Sequence, residues 1–326
     1  MTIRYRLSRA ATITGLLAIM AAGCARSGEG DQVNPYRDFG ITANNAFFYY
    51  DDLEQATRFY TRTLGLRVIA DYGFAKILQI ADTSYLTLVD GLEGMHTTDE
   101  PKTVAIALLT DQLAEWYEYL LGEDIGMRSG YTPIAGRPHH GFVAYDPEGY
   151  LLEFERFNPH PENENLIPLL EQMKTLYPDP EQDTDVPPGL GFKGTVLWLY
   201  YKDTEGILSF YEDTMGFDRI VDQGWAWIHQ TSPTGFIGPV DETRGMHSWT
   251  ENKAVTVSFF TDDLEGWYSH VKDTGAFELR SMEDIEDDEA GRFRAFVGYD
   301  PEGYFLEFDT FLPHALNGRL LESLSR

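Results

Sequence analysis

Two glutamates stand at matching places in a phrase that the sequence contains twice. The phrase reads DPEGYLLEFERF from Asp146 to Phe157 and DPEGYFLEFDTF from Asp300 to Phe311. Pro and Gly near its start favour a tight turn, and the alternating residues that follow predict a strand. Glu153 and Glu307 therefore stand in largely apolar strands, where an ionised carboxylate needs a metal, a cation or a hydrogen-bond donor. The identity of that partner decides which chemistry is open to the protein.

The hairpin predicted by the first copy brings a histidine beside these carboxylates. A turn that pairs Tyr145 with Tyr150 sets His140 opposite Glu155, on the face that also carries Glu153. Three interpretations of His140 follow: a metal ligand together with Glu153, a general base tuned by a carboxylate, or a hydrogen-bonded structural residue. The sequence leaves these three open.

The second copy carries an arginine in place of that histidine. The same pairing sets Arg294 opposite Asp309, on the face that carries Glu307. An arginine among two carboxylates is most simply an internal ion pair, which would replace a metal in charge terms.

Both hairpins end long repeated stretches. GMHTTDEPKTVAIALLTDQLAEWYEYL, from Gly94, aligns with GMHSWTENKAVTVSFFTDDLEGWYSHV, from Gly245, at an offset of 151 residues. The closing hairpins align at an offset of 154 residues. Self-similarity of this length predicts two homologous modules, at residues 39–161 and 191–326. Helical spacing of apolar residues followed by prolines and acids predicts a packed helix and then a linker within residues 162–190.

Each module reads as two halves with the same order of elements. A strand at residues 44–50 runs into Asp51 and Asp52, which suit a helix N-cap, and the helix that follows stops at Gly65. Three short strands come next, and a second strand, helix and three strands complete the module. The sequence therefore predicts an α+β fold of four βαβββ units in two modules.

The N-terminus has the composition of a targeting segment. Arginines at positions 4, 6 and 9 precede an apolar run at residues 10–22, which is too short to span a bilayer and is typical of a secretory signal. The small residues before Cys24, the only cysteine, resemble the bacterial lipobox, in which the cysteine is lipidated. We expect a signal peptide at residues 1–23, lipidation of Cys24, a tether at residues 24–38 and an envelope location; the alternative is an ordinary signal peptide with an incidental cysteine.

The charge of the chain excludes one class of partner. The sequence holds 25 basic and 53 acidic side chains, and removal of residues 1–23 would leave 22 basic and 53 acidic, a net charge of −31. Such a surface repels phosphate backbones, so we expect no nucleic-acid partner. Anionic lipids are repelled as well, so membrane attachment would rest on the lipid anchor.

The order of motifs resembles one known superfamily. A strand, Asp-Leu-Glu at residues 52–54, Phe-Tyr at 59–60, Leu-Gly-Leu at 64–66 and the closing Asp-Pro-Glu-Gly-Tyr-x-Leu-Glu-Phe are similar to the vicinal oxygen chelate (VOC) superfamily of glyoxalase I, extradiol dioxygenases and bleomycin-resistance proteins. The resemblance implies that pairs of βαβββ units curl into half-open barrels around a cavity. It implies less about function, because the superfamily includes lyases, isomerases, dioxygenases and plain binding proteins.

The resemblance also implies where metal ligands would stand. Counting from the helix entry, the four ligand positions of each module fall on Asn45, Thr87, about Val104 and Glu153, and on Val196, Gly238, about Val255 and Glu307. A divalent metal needs three or four N, O or S ligands, which valine and glycine side chains cannot supply. We therefore expect no cofactor, and a divalent metal remains an alternative only at an irregular site formed by His140 and Glu153.

With one barrel per module, each cavity gathers its own set of side chains. Module one gathers Asn45, Tyr49, His140, Glu153 and Glu155, and module two gathers Trp198, Tyr200, Arg294, Glu307 and Asp309. Aromatic walls with carboxylates favour a flat or cationic organic ligand. The leading hypothesis is an envelope protein that binds a small aromatic or cationic molecule without the usual metal centre. The alternatives are a lyase, isomerase or dioxygenase that uses His140 and Glu153 with an irregular metal, and a non-catalytic envelope scaffold.

Overall fold

The computed structural model describes residues 34–275, 277–280 and 285–325, so residues 1–33, which contain Cys24, lie outside the described part. We number the four βαβββ units 1 to 4 along the chain. In unit 1, Asp52 follows the first strand and caps the helix, because the Asp52 carboxylate accepts the Gln55 N–H at 2.8 Å. The helix continues as a π-turn to Thr63, and Gly65 then takes a φ of +71°. The elements of this part are α1 (Pro35–Phe39), β1 (Ala43–Tyr50), α2 (Leu53–Arg58), β2 (Arg67–Asp71), β3 (Ala75–Ala81) and β4 (Ser84–Asp90).

Unit 2 repeats this order and is followed by a short helix. Trp116 and Leu120 turn one side of its helix inward and are buried. The elements are β5 (Val104–Leu109), α3 (Leu113–Gly122), β6 (Met127–Ser129), β7 (His139–Tyr145), β8 (Leu151–Phe157) and α4 (Ile167–Gln172). The predicted linker is held against unit 1, since the Arg62 guanidinium pairs with Asp183 and Asp185.

Units 3 and 4 follow the same plan with one addition, a two-residue strand at Glu286–Asp287. Asp203 and Asp263 cap their helices as Asp52 does in unit 1. The elements of unit 3 are β9 (Gly194–Tyr201), α5 (Thr204–Ser209), β10 (Arg219–Asp222), β11 (Trp227–Gln230) and β12 (Gly235–Asp241). Those of unit 4 are β13 (Thr256–Phe260), α6 (Leu264–Thr274), β14 (Glu278–Leu279), β15 (Glu286–Asp287), β16 (Phe293–Tyr299), β17 (Phe305–Phe311) and α7 (Gly318–Leu324).

The two sheets join units that are not neighbours in the sequence. One sheet has the order β14-β16-β17-β13-β1-β4-β3-β2, with β15 on β16, and combines units 1 and 4. The other has the order β10-β11-β12-β9-β5-β8-β7-β6 and combines units 2 and 3. We call them sheet 1–4 and sheet 2–3. The α+β fold of paired βαβββ units is confirmed, but the expectation that each module closes its own barrel is wrong.

The joints between units are antiparallel strand pairs. In sheet 1–4, β1 pairs with β13 and Asn45 lies opposite Ser258. In sheet 2–3, β5 pairs with β9 and Ala107 lies opposite Val196. Each sheet packs one face against the helices in a large apolar core and lines a cavity with its other face. Each cavity therefore collects residues from both sequence modules.

The repeated phrase holds consecutive units together. The buried Asp146 carboxylate accepts the hydroxyl protons of Tyr50 at 2.7 Å and Tyr60 at 3.1 Å, both from unit 1. Glu148 accepts the N–H groups of Asp51 and Asp52 at the entry to α2. Burial raises the pKa of Asp146 despite these hydrogen bonds. The first two charged positions of the phrase, Asp146 and Glu148, thus serve packing between units.

Among the described residues, no helix combines the length and the apolar character that a bilayer crossing requires.

Candidate functional site

The β7–β8 hairpin has a register one residue away from the predicted one. Asp146 pairs with Tyr150, because the Asp146 N–H donates to the Tyr150 carbonyl oxygen at 3.0 Å. The loop therefore has three residues and ends at Gly149, which has a φ of +94°. Tyr145 consequently lies opposite Leu151 rather than Tyr150. A shift of one residue in a strand moves every side chain to the other face.

This shift removes His140 from the carboxylates. His140 lies opposite Arg156, and its Nε2 atom is 2.7 Å from the Ile134 carbonyl oxygen. Its Nδ1 atom is 3.3 Å from the Asn158 side-chain amide. The prediction that His140 faces Glu155 and shares a site with Glu153 is wrong; His140 ties the loop before β7 to the end of β8.

The histidine beside the carboxylates is His139. Its Nδ1 atom lies 2.6 Å from Oε1 of Glu155, whose side chain is 1% exposed. The hydrogen bond to Glu155 outweighs burial and raises the pKa of His139 to about 9. The pair therefore carries an imidazolium and a carboxylate near neutral pH. The sequence signal was present, because the two histidines are adjacent and a one-residue shift exchanges them.

Glu153 lies next to this pair on the same face of β8 and stays protonated over much of the neutral range. Burial first, and the neighbouring Glu155 charge second, raise the pKa of Glu153 to about 8. His139 opposes the shift without reversing it. A group that is protonated near pH 7 can donate as well as accept a hydrogen bond.

These three side chains line a cavity of about 200 Å³ on sheet 2–3, which we call cavity 2–3. Trp198, Tyr200 and Trp225 supply aromatic walls, and Arg128 and Arg244 stand exposed at the rim. Arg244 lies over the Trp225 ring at 4.9 Å. The sequence predicted that Trp198 and Tyr200 form an aromatic inner face, and both line this cavity. The carboxyl groups that line the cavity with them are Glu153 and Glu155, which belong to the other module. Trp225 and the two arginines carried no motif and were missed.

A Gly-Met-His loop closes one side of this rim. Gly245 has no room for a side chain, because an added Cβ would lie 2.5 Å from the Tyr200 ring. His247 packs edge-on against the same ring at 5.1 Å. Arg128 donates to the Met246 carbonyl oxygen at 2.8 Å. The loop is thus fixed to both halves of the cavity.

One buried polar atom in cavity 2–3 lacks a partner among the described residues. It is Oε2 of Glu155, a residue that is 1% exposed and lines the cavity. The indole N–H of Trp198, on the same cavity, acts on the Glu153 carboxyl group. Buried polar groups are normally satisfied, so an acceptor left over in the cavity points to a bound molecule.

The ligand positions that the resemblance implied do not form a metal site in sheet 2–3. Val196 faces the cavity beside Ala107, whereas Val104 faces the helices. At Gly238 a Cβ would come within 2.0 Å of the Trp198 ring, so the indole covers the place of a ligand side chain. Only Glu153 offers an oxygen from these positions, and one ligand does not fit a divalent metal.

Sheet 1–4 carries a second cavity of about 350 Å³, which we call cavity 1–4. Tyr49 and Glu307 both line it, although the sequence assigned them to different modules. Asp309 stands two residues from Glu307 on β17 and accepts the Ser258 hydroxyl proton at 2.7 Å. Burial first, and Asp309 second, raise the pKa of Glu307 well above its ordinary value.

The polar positions below cavity 1–4 satisfy one another. Asn45 is buried and exchanges hydrogen bonds with Thr87 at 2.9 and 3.1 Å. The Tyr49 and Thr256 hydroxyls lie 2.7 Å apart. Val255 faces the helices and supplies nothing to this group. An amide, hydroxyls and one carboxyl are a poor match for a transition metal.

Arg294 lies outside both cavities. It stands opposite Thr310 instead of Asp309, and it pairs with Glu265 at 2.6 Å and Asp287 at 2.7 Å. The predicted internal ion pair with Asp309 is wrong for the same reason as the His140 prediction, because the second hairpin has the same three-residue loop. Over the described ranges, no group of three or more His, Cys, Asp and Glu side chains could hold a metal ion.

Comparisons with known proteins agree on the fold. Residues 42–154 match the family described as the Glyoxalase/Bleomycin resistance protein/Dioxygenase superfamily. Glyoxalase I from Zea mays is similar with a TM-score of 0.58 at 14% sequence identity, over 90% of this chain and 98% of that chain. A putative dioxygenase from Bacillus subtilis subsp. subtilis str. 168 gives a TM-score of 0.56 at 14% identity, over 84% of this chain and 86% of that chain. No curated protein sequence matches the chain. At these identities the structures establish the fold alone.

Proposed function

We propose that the whole chain is a member of the VOC superfamily and binds a small organic molecule in cavity 2–3, without the superfamily's usual metal centre. The observation that carries this proposal is the unpartnered buried atom Glu155 Oε2, in a cavity that Trp198 also lines. A ligand that donates a hydrogen bond to this oxygen would satisfy it.

The shape of the cavity supports a flat ligand. Trp198, Tyr200 and Trp225 present large ring surfaces on which an aromatic molecule can stack. Polar groups that converge at one end of an aromatic cavity are the usual arrangement of a specific small-molecule site. An aromatic ligand, as the sequence suggested, remains the proposal.

The charge of the cavity supports an acidic group on that ligand. Arg128 and Arg244 stand at the rim, whereas His139 and Glu155 neutralise each other below and Glu153 is largely protonated. The two arginines form a positive rim on a chain with 25 basic and 53 acidic residues. We therefore propose an aromatic acid for this cavity, with its carboxylate at the arginines. The cationic ligand that the sequence favoured does not suit this rim.

Phenylacetate and phenylacetamide test the proposal, because they differ only in the charge of one end. We expect isothermal titration at pH 7 to show phenylacetate binding about tenfold more tightly than phenylacetamide. Arg244→Met keeps an apolar side chain over Trp225 and should reduce that preference, since Arg128 remains. Arg58→Met, at an exposed helical arginine of unit 1, is the matched control and should keep it.

Two outcomes would overturn the proposal. One is equal affinity for the acid and the amide in the unmodified protein. The other is no thermal stabilisation by any aromatic acid, amide or amine together with stabilisation by Mn²⁺, Fe²⁺, Ni²⁺ or Zn²⁺. The second outcome would support the alternative, a metal-dependent lyase, isomerase or dioxygenase. Stability that responds to none of these compounds or metals would favour a non-catalytic envelope scaffold.

We also propose that Cys24 carries a lipid that anchors the protein to the bacterial cell envelope, where it would face the periplasm or the exterior. The support is the arrangement of arginines, apolar run and small residues before Cys24. Expression in a bacterial host with labelled palmitate should give a labelled protein in the membrane fraction, and Cys24→Ser should lose the label. Equal labelling and equal fractionation of the two forms would reject the anchor.

A further inference from the structure

We propose that cavity 1–4 is a second and independent binding site, and that it takes an organic ammonium ion with an apolar or aromatic part. The two cavities derive from one ancestral unit pair but differ in the groups that face the ligand. Their comparison within one chain carries the argument.

The first step concerns the carboxyl pair at the floor. In cavity 2–3, Glu155 has a built-in cation, His139, at 2.6 Å. Glu307 and Asp309 occupy the equivalent positions in cavity 1–4, since the closing hairpins align at an offset of 154 residues. The residue equivalent to His139 is Phe293, which brings an apolar ring instead of a charge. The acid pair of cavity 1–4 therefore lacks its cation.

The second step concerns the partners of Glu307. This residue is 6% exposed and lines the cavity, yet no N–H or O–H donor and no salt bridge reaches it from the described residues. Its close polar neighbour is the carboxyl group of Asp309, to which a protonated Glu307 donates a hydrogen bond, so the two carboxyl groups share one proton and a ligand cation would replace it. Arg280 influences Glu307 only at longer range, and its guanidinium contacts the sulfur of Met95. A buried carboxyl group without a cation is costly, and a ligand cation would remove that cost.

The third step concerns the walls. Phe47, Tyr49, Phe74 and Phe293 line the same space as Glu307. The Arg292 guanidinium already lies 5.7 Å from the Phe74 ring and 5.9 Å from the Phe293 ring, so Phe47 and Tyr49 are the rings left for a ligand. Aromatic faces around a carboxylate are the arrangement that attracts alkylammonium ions, through the ring quadrupole and the charge together. Cavity 2–3 has indole and phenol rings as well, but arginines stand at its rim.

The fourth step concerns the rim of cavity 1–4, which is acidic. Glu93 and residues 286–289, four consecutive acids, line it. Asp287 and Asp288 pair with Arg294 and Arg292, but Glu93 and Glu289 form no salt bridge with any described residue. No arginine or lysine is among the described residues that line the cavity. An anion would be repelled from this rim and a cation attracted.

Benzyltrimethylammonium and neopentylbenzene, its uncharged isostere, test the inference. We expect the cation to bind at least tenfold more tightly than the isostere to the full chain at pH 7, as measured by chemical-shift titration. Glu307→Gln keeps a neutral donor beside Asp309 that cannot give up a proton to the cation, so it should lower the affinity for the cation about tenfold. Glu153→Gln makes the same change in the other cavity and should leave this affinity unaltered. Phenylacetate binding, which reports on cavity 2–3, should be unaffected by Glu307→Gln.

Several results would overturn the inference. They are equal affinity for the cation and its isostere, loss of cation binding on Glu153→Gln but not on Glu307→Gln, or displacement of the cation by Mg²⁺ or Zn²⁺ at micromolar concentration. If Glu307→Gln fails to fold, Phe47→Leu removes a ring of the wall and should weaken cation binding several-fold. Unchanged binding by a folded Phe47→Leu protein would then reject the site. Because the phenylacetate measurements concern the other cavity, the failure of one proposal leaves the other standing.

Discussion

The Nδ1 atom of His139 lies 2.6 Å from Oε1 of Glu155, and this contact sets the charge of cavity 2–3. The His139 imidazolium neutralises the Glu155 carboxylate, whose side chain is 1% exposed. Glu153 therefore lies beside an ion pair and not beside an isolated negative charge. The arginines at the rim then need not neutralise Glu155, and their remaining N–H donors can act on a ligand. The consequences can be measured on stability as well as on binding.

The first prediction concerns His139→Gln. The folded-state pKa of His139 is raised to about 9, so its pairing with Glu155 contributes fully below about pH 6.5 and is lost as the pH rises through 9. Because the imidazole is partly exposed, we expect the variant to lose about 1–2 kcal/mol of unfolding free energy at pH 6. The difference should shrink toward pH 10. Urea unfolding across this range checks it.

The neighbouring histidine is the control for that experiment. His140→Gln changes the same side-chain type one residue away, on the opposite face of β7. It should not remove the pH dependence between pH 6.5 and 9 that His139→Gln removes. If His140→Gln removes it instead, the hairpin register described above is incorrect.

The second prediction concerns Glu153→Gln, which should stabilise the protein. The folded-state pKa of Glu153 is raised to about 8. Glu153 therefore ionises in the unfolded chain as the pH rises through 4.5, which stabilises the unfolded state, but it ionises in the folded protein only near pH 8. The destabilisation of the folded protein by Glu153 is therefore absent at pH 4, grows up to pH 8 and is constant above. We expect the variant to gain about 1–3 kcal/mol at pH 8 and little at pH 4.

Glu118→Gln supplies the comparison, since Glu118 lies exposed on α3. It should change the unfolding free energy by less than about 0.5 kcal/mol at either pH. A gain for Glu118→Gln as large as that for Glu153→Gln would mean that net charge, rather than burial at the cavity, causes the effect.

The third prediction concerns Gly238→Ala. The added methyl group would meet the Trp198 ring at 2.0 Å, so the indole must shift or the strand must move. We expect a loss of about 1–3 kcal/mol in unfolding free energy and a changed Trp198 fluorescence maximum. Gly122→Ala, where no atom lies within 4 Å of the new Cβ, should be neutral or slightly stabilising. An unperturbed Gly238→Ala protein would show that the indole does not cover this position.

Much of this fold could be predicted from the sequence, because the signals are local. The helix caps at Asp52 and Asp203, the strand alternation around Glu153 and the internal repeat all depend on residues close together in the chain. The faces of Glu153, Glu155 and Trp198 were predicted correctly for the same reason. The α+β fold with four βαβββ units followed from these features.

What could not be predicted depends on single residues or on distant partners. The hairpin register depends on whether Tyr150 pairs with Tyr145 or with Asp146, and that one-residue difference put His139 instead of His140, and Phe293 instead of Arg294, on the cavity face. The choice of partner units was also invisible, because β1 can form the same antiparallel ladder with β5 or β13. No residue pattern within either sequence module predicts that Tyr49 and Glu307 line one cavity and that Tyr200 and Glu153 line the other.

The last prediction concerns the tyrosines of the repeated phrase, which connect units that belong to different sheets. The Tyr150 hydroxyl accepts the Tyr49 N–H at 2.9 Å and donates to the Ala254 carbonyl oxygen at 2.7 Å, so it bridges units 1 and 4 from unit 2. Removal of this hydroxyl leaves a buried donor and a buried acceptor unpaired, so Tyr150→Phe should cost about 2–4 kcal/mol of unfolding free energy. Tyr145→Phe, at a residue that is 38% exposed, should cost less than about 0.5 kcal/mol.

Tyr304 makes the equivalent contacts, with the Tyr200 N–H and the Thr103 carbonyl oxygen, and Tyr304→Phe should match Tyr150→Phe. Since both tyrosines join units of the two sheets and fix a strand residue that lines a cavity, Tyr49 or Tyr200, guanidinium unfolding should remain a single transition in each variant. A separate early transition in Tyr150→Phe would show instead that the sequence modules unfold one at a time.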